Sequence, residues 1–228
     1  MWISIRVPPA PWEAFGLKVA PITPNTGRHP RNIHPVRWSA AGRPWDIFDV
    51  RHDRQAITVR PLTADEGALL RRLRLASVAD APMAFWHTTA VLTSWPVAEW
   101  TRRARAAADS STDLIMVAQR GDEVVGLVQG LTPPGRPWLR ELASMWVAPQ
   151  VRGQGGADTL LAAAFDWSYR VGAEAVKLWV APGNLAARRL YARHGFVVLG
   201  GPEPTTSDPL VRTFIPMLRT LYPAAPRR

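Results

Sequence analysis

Residues 150–161, QVRGQGGADTLL, set an arginine and three glycines directly before an apolar helical pattern. Glycine loses more backbone freedom on folding than any other residue, so Gly153, Gly155 and Gly156 within four positions call for a reason. Anion binding supplies one. The strand ELASMWV runs through Pro149 into Arg152-Gly153-Gln154-Gly155-Gly156-Ala157, and a helix follows. Successive backbone N–H groups at a helix start, freed of Cβ atoms, form a concave phosphate site. Arg152 adds a guanidinium beside it. A nucleotide P-loop is excluded, because no lysine followed by Ser or Thr closes the run. A dinucleotide fingerprint would need glycine where Asp158 stands.

A second stretch, NLAARRLYARHGF at 184–196, has Asn184 as an N-cap and Gly195 as a stop. Ala187, Leu190, Tyr191 and His194 fall on one helical stripe. Read alone, this is a core helix, and His194 reads as structural. One strand separates it from the glycine run.

Together the two stretches resemble the GCN5-related N-acetyltransferase (GNAT) family over about Ile57 to Leu218. The acyl-CoA motif QxxGxG stands at Gln150, Gly153 and Gly155. The second family motif stands at Asn184, Ala187, Leu190, Tyr191, Gly195 and Phe196. The chain departs from the pattern at Gly156, where the family usually carries a branched apolar residue. The resemblance implies that the strand before the glycines splays from its neighbour. Its Met145, Trp146 and Val147 backbone would then pair with the pantetheine arm of acetyl-CoA. It also implies that amides from Arg152 through Gly153, Gln154, Gly155 and Gly156 to Ala157 hold the pyrophosphate. Asn184 would contact the CoA arm and Tyr191 would protonate the leaving thiolate, with a core tyrosine as the plainer alternative. Glu141 falls where some members carry a base; a strand-end carboxylate paired with Arg140 or Arg136 is the equal alternative. Asp80 and His87 are weaker candidates for that role. By the same resemblance Phe85 and Trp86 lie in the segment that would shape the acceptor pocket, with Trp95 and the helix around Trp100 beside them; ordinary core is the equal alternative for Phe85, Trp86 and Trp95.

The chemistry needs a base because an alkyl ammonium titrates near ~10 and is mostly protonated at neutral pH. The chain has no cysteine, so a cysteine acyl-enzyme is excluded and attack would be direct, in a ternary complex. Disulfides and thiolate metal sites go with it. The five histidines show no HxH or HxxxH spacing, so no metal is expected.

The elements that must position these groups read as β-α-α-β-β-β-α-β-α-β-β from Ala56 onward, an α/β fold with a mixed sheet and helices on both faces. TADEGALLRRLRLASV reads as a helix with a Thr63–Glu66 capping box. LIMVAQRGDEVVGLVQGL reads as a hairpin. Residues 1–55 hold eight of the 22 prolines and sustain no period, so they read as a poorly ordered arm preceding a domain at 56–228. Trp2, Trp12, Trp38 and Trp45 argue for docking of that arm, and a native start near Val50 is a further alternative. The first residues lack the apolar core of a secretory signal, and no run is long enough to span a bilayer. A cytoplasmic location is therefore expected.

Net charge is +10, yet only Lys18 and Lys177 of the 28 basic residues are lysine, and they form no block. Compositional bias accounts for this better than nucleic-acid binding, which would need a basic stripe interleaved with aromatics. The leading expectation is transfer of an acetyl group from acetyl-CoA, as co-substrate, to a primary amine of a small molecule or peptide. A non-catalytic acyl-CoA sensor is the alternative. Neither nucleic acid nor membrane is expected as a partner, and a homodimer is left open.

Overall fold

The computed structural model describes residues 56–110, 112–204 and 212–221. The expectation for residues 1–55 lies outside the described residues. One mixed sheet organises the rest. Its strands are β1 (Ile57–Pro61), β2 (Leu114–Arg120), β3 (Glu123–Leu131), β4 (Leu139–Val147), β5 (Ala175–Val180), β6 (Val197–Val198), β7 (Glu203–Pro204) and β8 (Thr213–Thr220). The order across the sheet is β1-β2-β3-β4-β5-β8-β6, and β7 pairs with β8. Only β4 and β5 run parallel; all other pairs are antiparallel.

Helices cover both faces. On one lie α1 (Gly67–Asp80) and α3 (Val97–Asp109), with α2 (Thr89–Ser94) beside them; on the other lies α4 (Gly156–Arg170). Central strands sandwiched in this way lose their alternation. The first five residues of β2, Leu114 to Ala118, are all buried. Glycines on β3 let α4 approach closely: a Cβ on Gly130 would stand 2.6 Å from Trp167 Cζ3.

The expected order of elements is present, with α2 and the two-residue β7 in addition. The α2 segment reads in sequence as a loop and a turn. It forms a 3-10 turn at Pro82–Ala84 and then the six-residue α2, capped where Thr88 accepts from Val91 N–H at 3.2 Å. Six residues are too few for a helical period to be legible. The expected strand after Phe196 shrinks to Val197–Val198, because Gly200, Gly201 and Pro202 follow it.

The capping box is half formed. Glu66 accepts from Thr63 N–H at 2.9 Å, but the Thr63 hydroxyl turns to Asp65. Glu66 also takes both terminal nitrogens of Arg60, at 2.6 and 2.7 Å. That hydrogen-bonded pairing, against a smaller desolvation cost, holds its carboxyl down to about 2. At the other end of the domain, α4 stops as its glycine predicts. Gly172 adopts φ +71°, and Ala173 N–H reaches back to Ser168 C=O in a Schellman closure.

Candidate active site

The parallel ladder between β4 and β5 runs only from Leu139 opposite Ala175 to Leu142 opposite Leu178. Beyond Leu142 the strands part, and the gap opens into a cavity of about 1060 Å³. The parting has a local cause. Between its pairings with Leu127 and Gln129 of β3, β4 carries one residue too many. Ser144 sits within this bulge at φ +55°, and its hydroxyl donates to Gln129 Oε1 at 2.8 Å. Such bulges bend the strand that carries them.

Met145, Trp146 and Val147 of β4 form one wall of the cavity. Arg152, Gly153, Gly155, Gly156 and Ala157 form its end, where the glycine turn enters α4. Gly153 and Gly155 adopt φ +77° and +84°, and a Cβ at either would meet nothing within 4 Å. Gly155 is the N-cap of α4, so the first N–H groups of that helix stand free beside it. Gly156 is different. A Cβ there would come within 3.1 Å of Ile57 Cδ1 and 3.6 Å of Val147 Cγ1. Ile57, reaching over from β1, occupies the space that an apolar side chain at 156 would fill.

One predicted cofactor contact is arranged differently from expectation. The Arg152 guanidinium is engaged within the protein: Nε donates to Val147 C=O at 3.0 Å, and a terminal nitrogen pairs with Asp80. Asp80 Oδ2 also accepts from Trp146 Nε1 at 2.8 Å. Asp80 is thus a tie between the end of α1, β4 and the glycine turn. The Gln154 side chain folds back onto Gln150 C=O at 3.2 Å and does not line the cavity.

α5 (Leu185–Arg193) supplies the opposite wall with Asn184 and Tyr191. Asn184 Oδ1 caps the helix by accepting from Ala187 N–H at 3.1 Å, which leaves its side-chain N–H groups to the cavity. The Tyr191 ring packs edge-on against Phe196 at 5.7 Å. Burial pushes its hydroxyl up to about 12, so it stays protonated across the neutral range. His194 bonds Asp158 at 2.7 Å, tying α5 to the first turn of α4 beside Arg193.

Glu141 is not in this groove. It lines a second cavity of about 280 Å³ with Trp86, His87, Trp95 and Trp100. Phe85 lines both cavities and stands between them. Trp86 packs against Trp179 and Phe214 at ring separations of 6.3 and 6.2 Å. The strand-end pairing considered for Glu141 is not made with Arg140. That guanidinium turns to the other face, onto the carbonyls of Pro137, Leu139 and Val171. Glu141 makes no hydrogen bond or ion pair with another described residue.

Sequence reasoning missed Arg74, Arg103 and Trp179, which also line the second cavity. Arg74 carried a signal. It falls at the i+4 position between Leu70 and Val78, within the apolar stripe of α1, where a cation is out of place.

Among the described residues no cluster of three or more metal-binding side chains occurs, and no helix is long and apolar enough to cross a membrane. The model of the acetyltransferase (GNAT) family matches residues 77–196. No curated protein matches the chain. Solved structures do. A GNAT-family acetyltransferase from Streptococcus pneumoniae is 18% identical, with TM-score 0.61, covering 72% of this chain and 99% of its own. The acetyltransferase yncA of Salmonella typhimurium, solved with its cofactor acetyl-CoA, is 20% identical, with TM-score 0.61 and coverage of 75% and 98%. The paia N-acetyltransferase of Thermoplasma acidophilum, in complex with coenzyme A, is 18% identical, with TM-score 0.55 and coverage of 72% and 99%. At these identities the likeness is one of fold.

Proposed function

The chain belongs to the GNAT acetyltransferase family, whose model matches more than half of it, and from that premise we propose that it transfers an acetyl group from acetyl-CoA to a primary amine by direct attack. One observation carries this reading. The splayed end of β4, the glycine turn before α4 and Tyr191 of α5 line a single groove, and Phe85 joins that groove to a smaller cavity holding Glu141. A cavity for a second substrate, bearing a carboxylate with no hydrogen-bond or ion-pair partner among the described residues, favours turnover over sensing.

Acetyl-CoA supplies the acetyl group as a thioester. The free edge of β4 at Met145, Trp146 and Val147 offers backbone groups to the pantetheine arm. The turn from Arg152 to Ala157 offers N–H groups and a helix N-terminus to the pyrophosphate, and the open space above Gly153 and Gly155 admits it. Arg152 joins them by exchanging Asp80 for phosphate. Asn184 holds the arm from the α5 side. Glu141 takes a proton from the acceptor ammonium, directly or through water. The amine nitrogen then bonds to the acetyl carbon, and the tetrahedral intermediate so formed gives up its second nitrogen proton to water as the carbon–sulfur bond breaks. Tyr191 donates its proton to the departing sulfur, and its high pKa keeps that proton available. The proline content of residues 1–55 and their lack of a sustained period support reading them as an arm preceding a transferase domain at 56–228.

Calorimetric titration with acetyl-CoA, followed by CoA release over a panel of amines, tests the proposal. Saturable binding and amine-dependent release are expected. A protein that does not bind acetyl-CoA would end this reading.

A further inference from the structure

The smaller cavity carries opposite charges on its two sides. Arg74 of α1 is only 7% exposed. Its one hydrogen bond among the described residues goes to Ser77 Oγ, at 3.3 Å, and its guanidinium lies 5.3 Å from the Phe85 ring centroid. No described carboxylate pairs with it. Burial and the nearby charge of Arg103 lower it to about 10, so it remains a cation at neutral pH. Arg103 of α3 lines the same cavity, held through Nε by Glu99 and stacked on Trp95 at 4.2 Å. Trp100 lines it too, 1% exposed, and its indole N–H has no acceptor among the described residues. Folded chains seldom leave a buried cation and a buried donor unanswered. A ligand that answers both is an anion. Glu141, on the β4 side of the same cavity, calls for the opposite charge.

Resting on the acetyltransferase reading above, we propose that the acceptor is a small zwitterion, an amino acid whose carboxylate is held by Arg74 with Arg103 while its amine faces Glu141. A volume of about 280 Å³ walled by Phe85, Trp95, Trp100 and Trp179 suits one apolar or aromatic side chain, not an extended peptide. Arg74 and Arg103 are then specificity-determining residues. They leave the acetyl transfer itself to Glu141 and Tyr191, and they reject amines that arrive without an acid group.

The test compares matched pairs on the full-length protein at equal free-amine concentration: L-phenylalanine against phenethylamine and phenylalaninamide, and L-methionine against its decarboxylated amine. A charge-assisted hydrogen bond to a buried guanidinium predicts that the acids are preferred by about 10- to 100-fold in kcat/KM. Arg74→Gln should bring that ratio towards one while calorimetric acetyl-CoA affinity is unchanged, because Arg74 lies outside the donor groove. The wild-type ratio decides the matter even if this variant fails to fold. Titration of the same pairs into CoA-bound protein gives the comparison without turnover. Acids that bind in preference yet are not acetylated uphold the pocket and overturn the transferase reading. Amines acetylated with no preference for the acid uphold the transferase and overturn the pocket.

Discussion

Replacing Gly155 separates two roles that a glycine turn can serve. At φ +84° any L residue is strained, by about 1–2 kcal/mol. A Cβ at 155 meets nothing within 4 Å, so the protein without ligand bears that strain and no clash. For a domain of this size, about 1–2 kcal/mol lowers Tm by roughly 2–8 °C. The ligand-bound state is another matter. Gly155 lines the groove at the start of α4, and a Cβ there occupies the approach to the helix N–H groups. Loss of even one charge-assisted hydrogen bond costs about 1.5–3 kcal/mol, or roughly 10- to 100-fold in Kd. Gly155→Ala should therefore melt a few degrees lower and bind acetyl-CoA at least tenfold more weakly. Gly135 is the control: it has φ +73°, equally open surroundings and no place in either cavity. Gly135→Ala should lose comparable stability and no affinity. Paired scanning calorimetry and titration calorimetry make the measurement. Equal affinity in the two variants would reduce the 153–156 run to a turn and remove the argument for a phosphate cradle.

Tyr191→Phe should lower kcat roughly 10- to 1,000-fold with acetyl-CoA affinity little changed, since the hydroxyl acts as charge develops on sulfur; an unchanged kcat makes Tyr191 a packing residue. With its hydroxyl raised to about 12, wild-type kcat should show no alkaline decline from this group at pH 10, where a tyrosine near ~10 would be half ionised. Glu141→Gln should lose about 10²–10⁴ in rate at neutral pH, and steady-state kinetics should show the deficit shrinking as alkaline pH deprotonates the amine; a constant deficit assigns Glu141 to structure. Glu66, with its carboxyl depressed to about 2, contributes stability that is present above about pH 4.5 and is lost as pH falls towards 2. Glu66→Gln should cost about 1 kcal/mol in urea unfolding at pH 7, and that difference should disappear near pH 2.

The donor side of the site was more legible in the sequence than the acceptor side, for a physical reason. Backbone cradles need glycine, caps need Asn, and a helical stripe needs its period, so Gly153, Gly155, Asn184 and Tyr191 declare themselves locally. The Arg152 pairing with Asp80 spans 72 positions in the chain, and nothing near either residue foretells it. Ile57 replacing a side chain at Gly156 is equally non-local. The smaller cavity is assembled from α1, the 3-10 turn, α3, β3, β4, β5 and the loops flanking α2. Its aromatics are indistinguishable in sequence from ordinary core, and only Arg74, a cation on an apolar stripe, broke a local rule.

The single extra residue at Ser144 also sets the parity of β4. Before it, odd-numbered Glu141 and Ala143 face the α1 side, and even-numbered Arg140 faces α4. After it, even-numbered Trp146 reaches Asp80 at the end of α1, and odd-numbered Val147 packs beside Gly156 of α4. An uninterrupted strand would have sent Trp146 to the α4 side of the sheet. With the inversion, one strand presents Glu141 and then Trp146 to the same side, in sequence, along a single path. Deleting Ser144 would thus remove the bulge and leave Trp146 and Val147 on their present sides, whereas straightening the strand with Ser144 retained would exchange inside for outside over the last residues of β4.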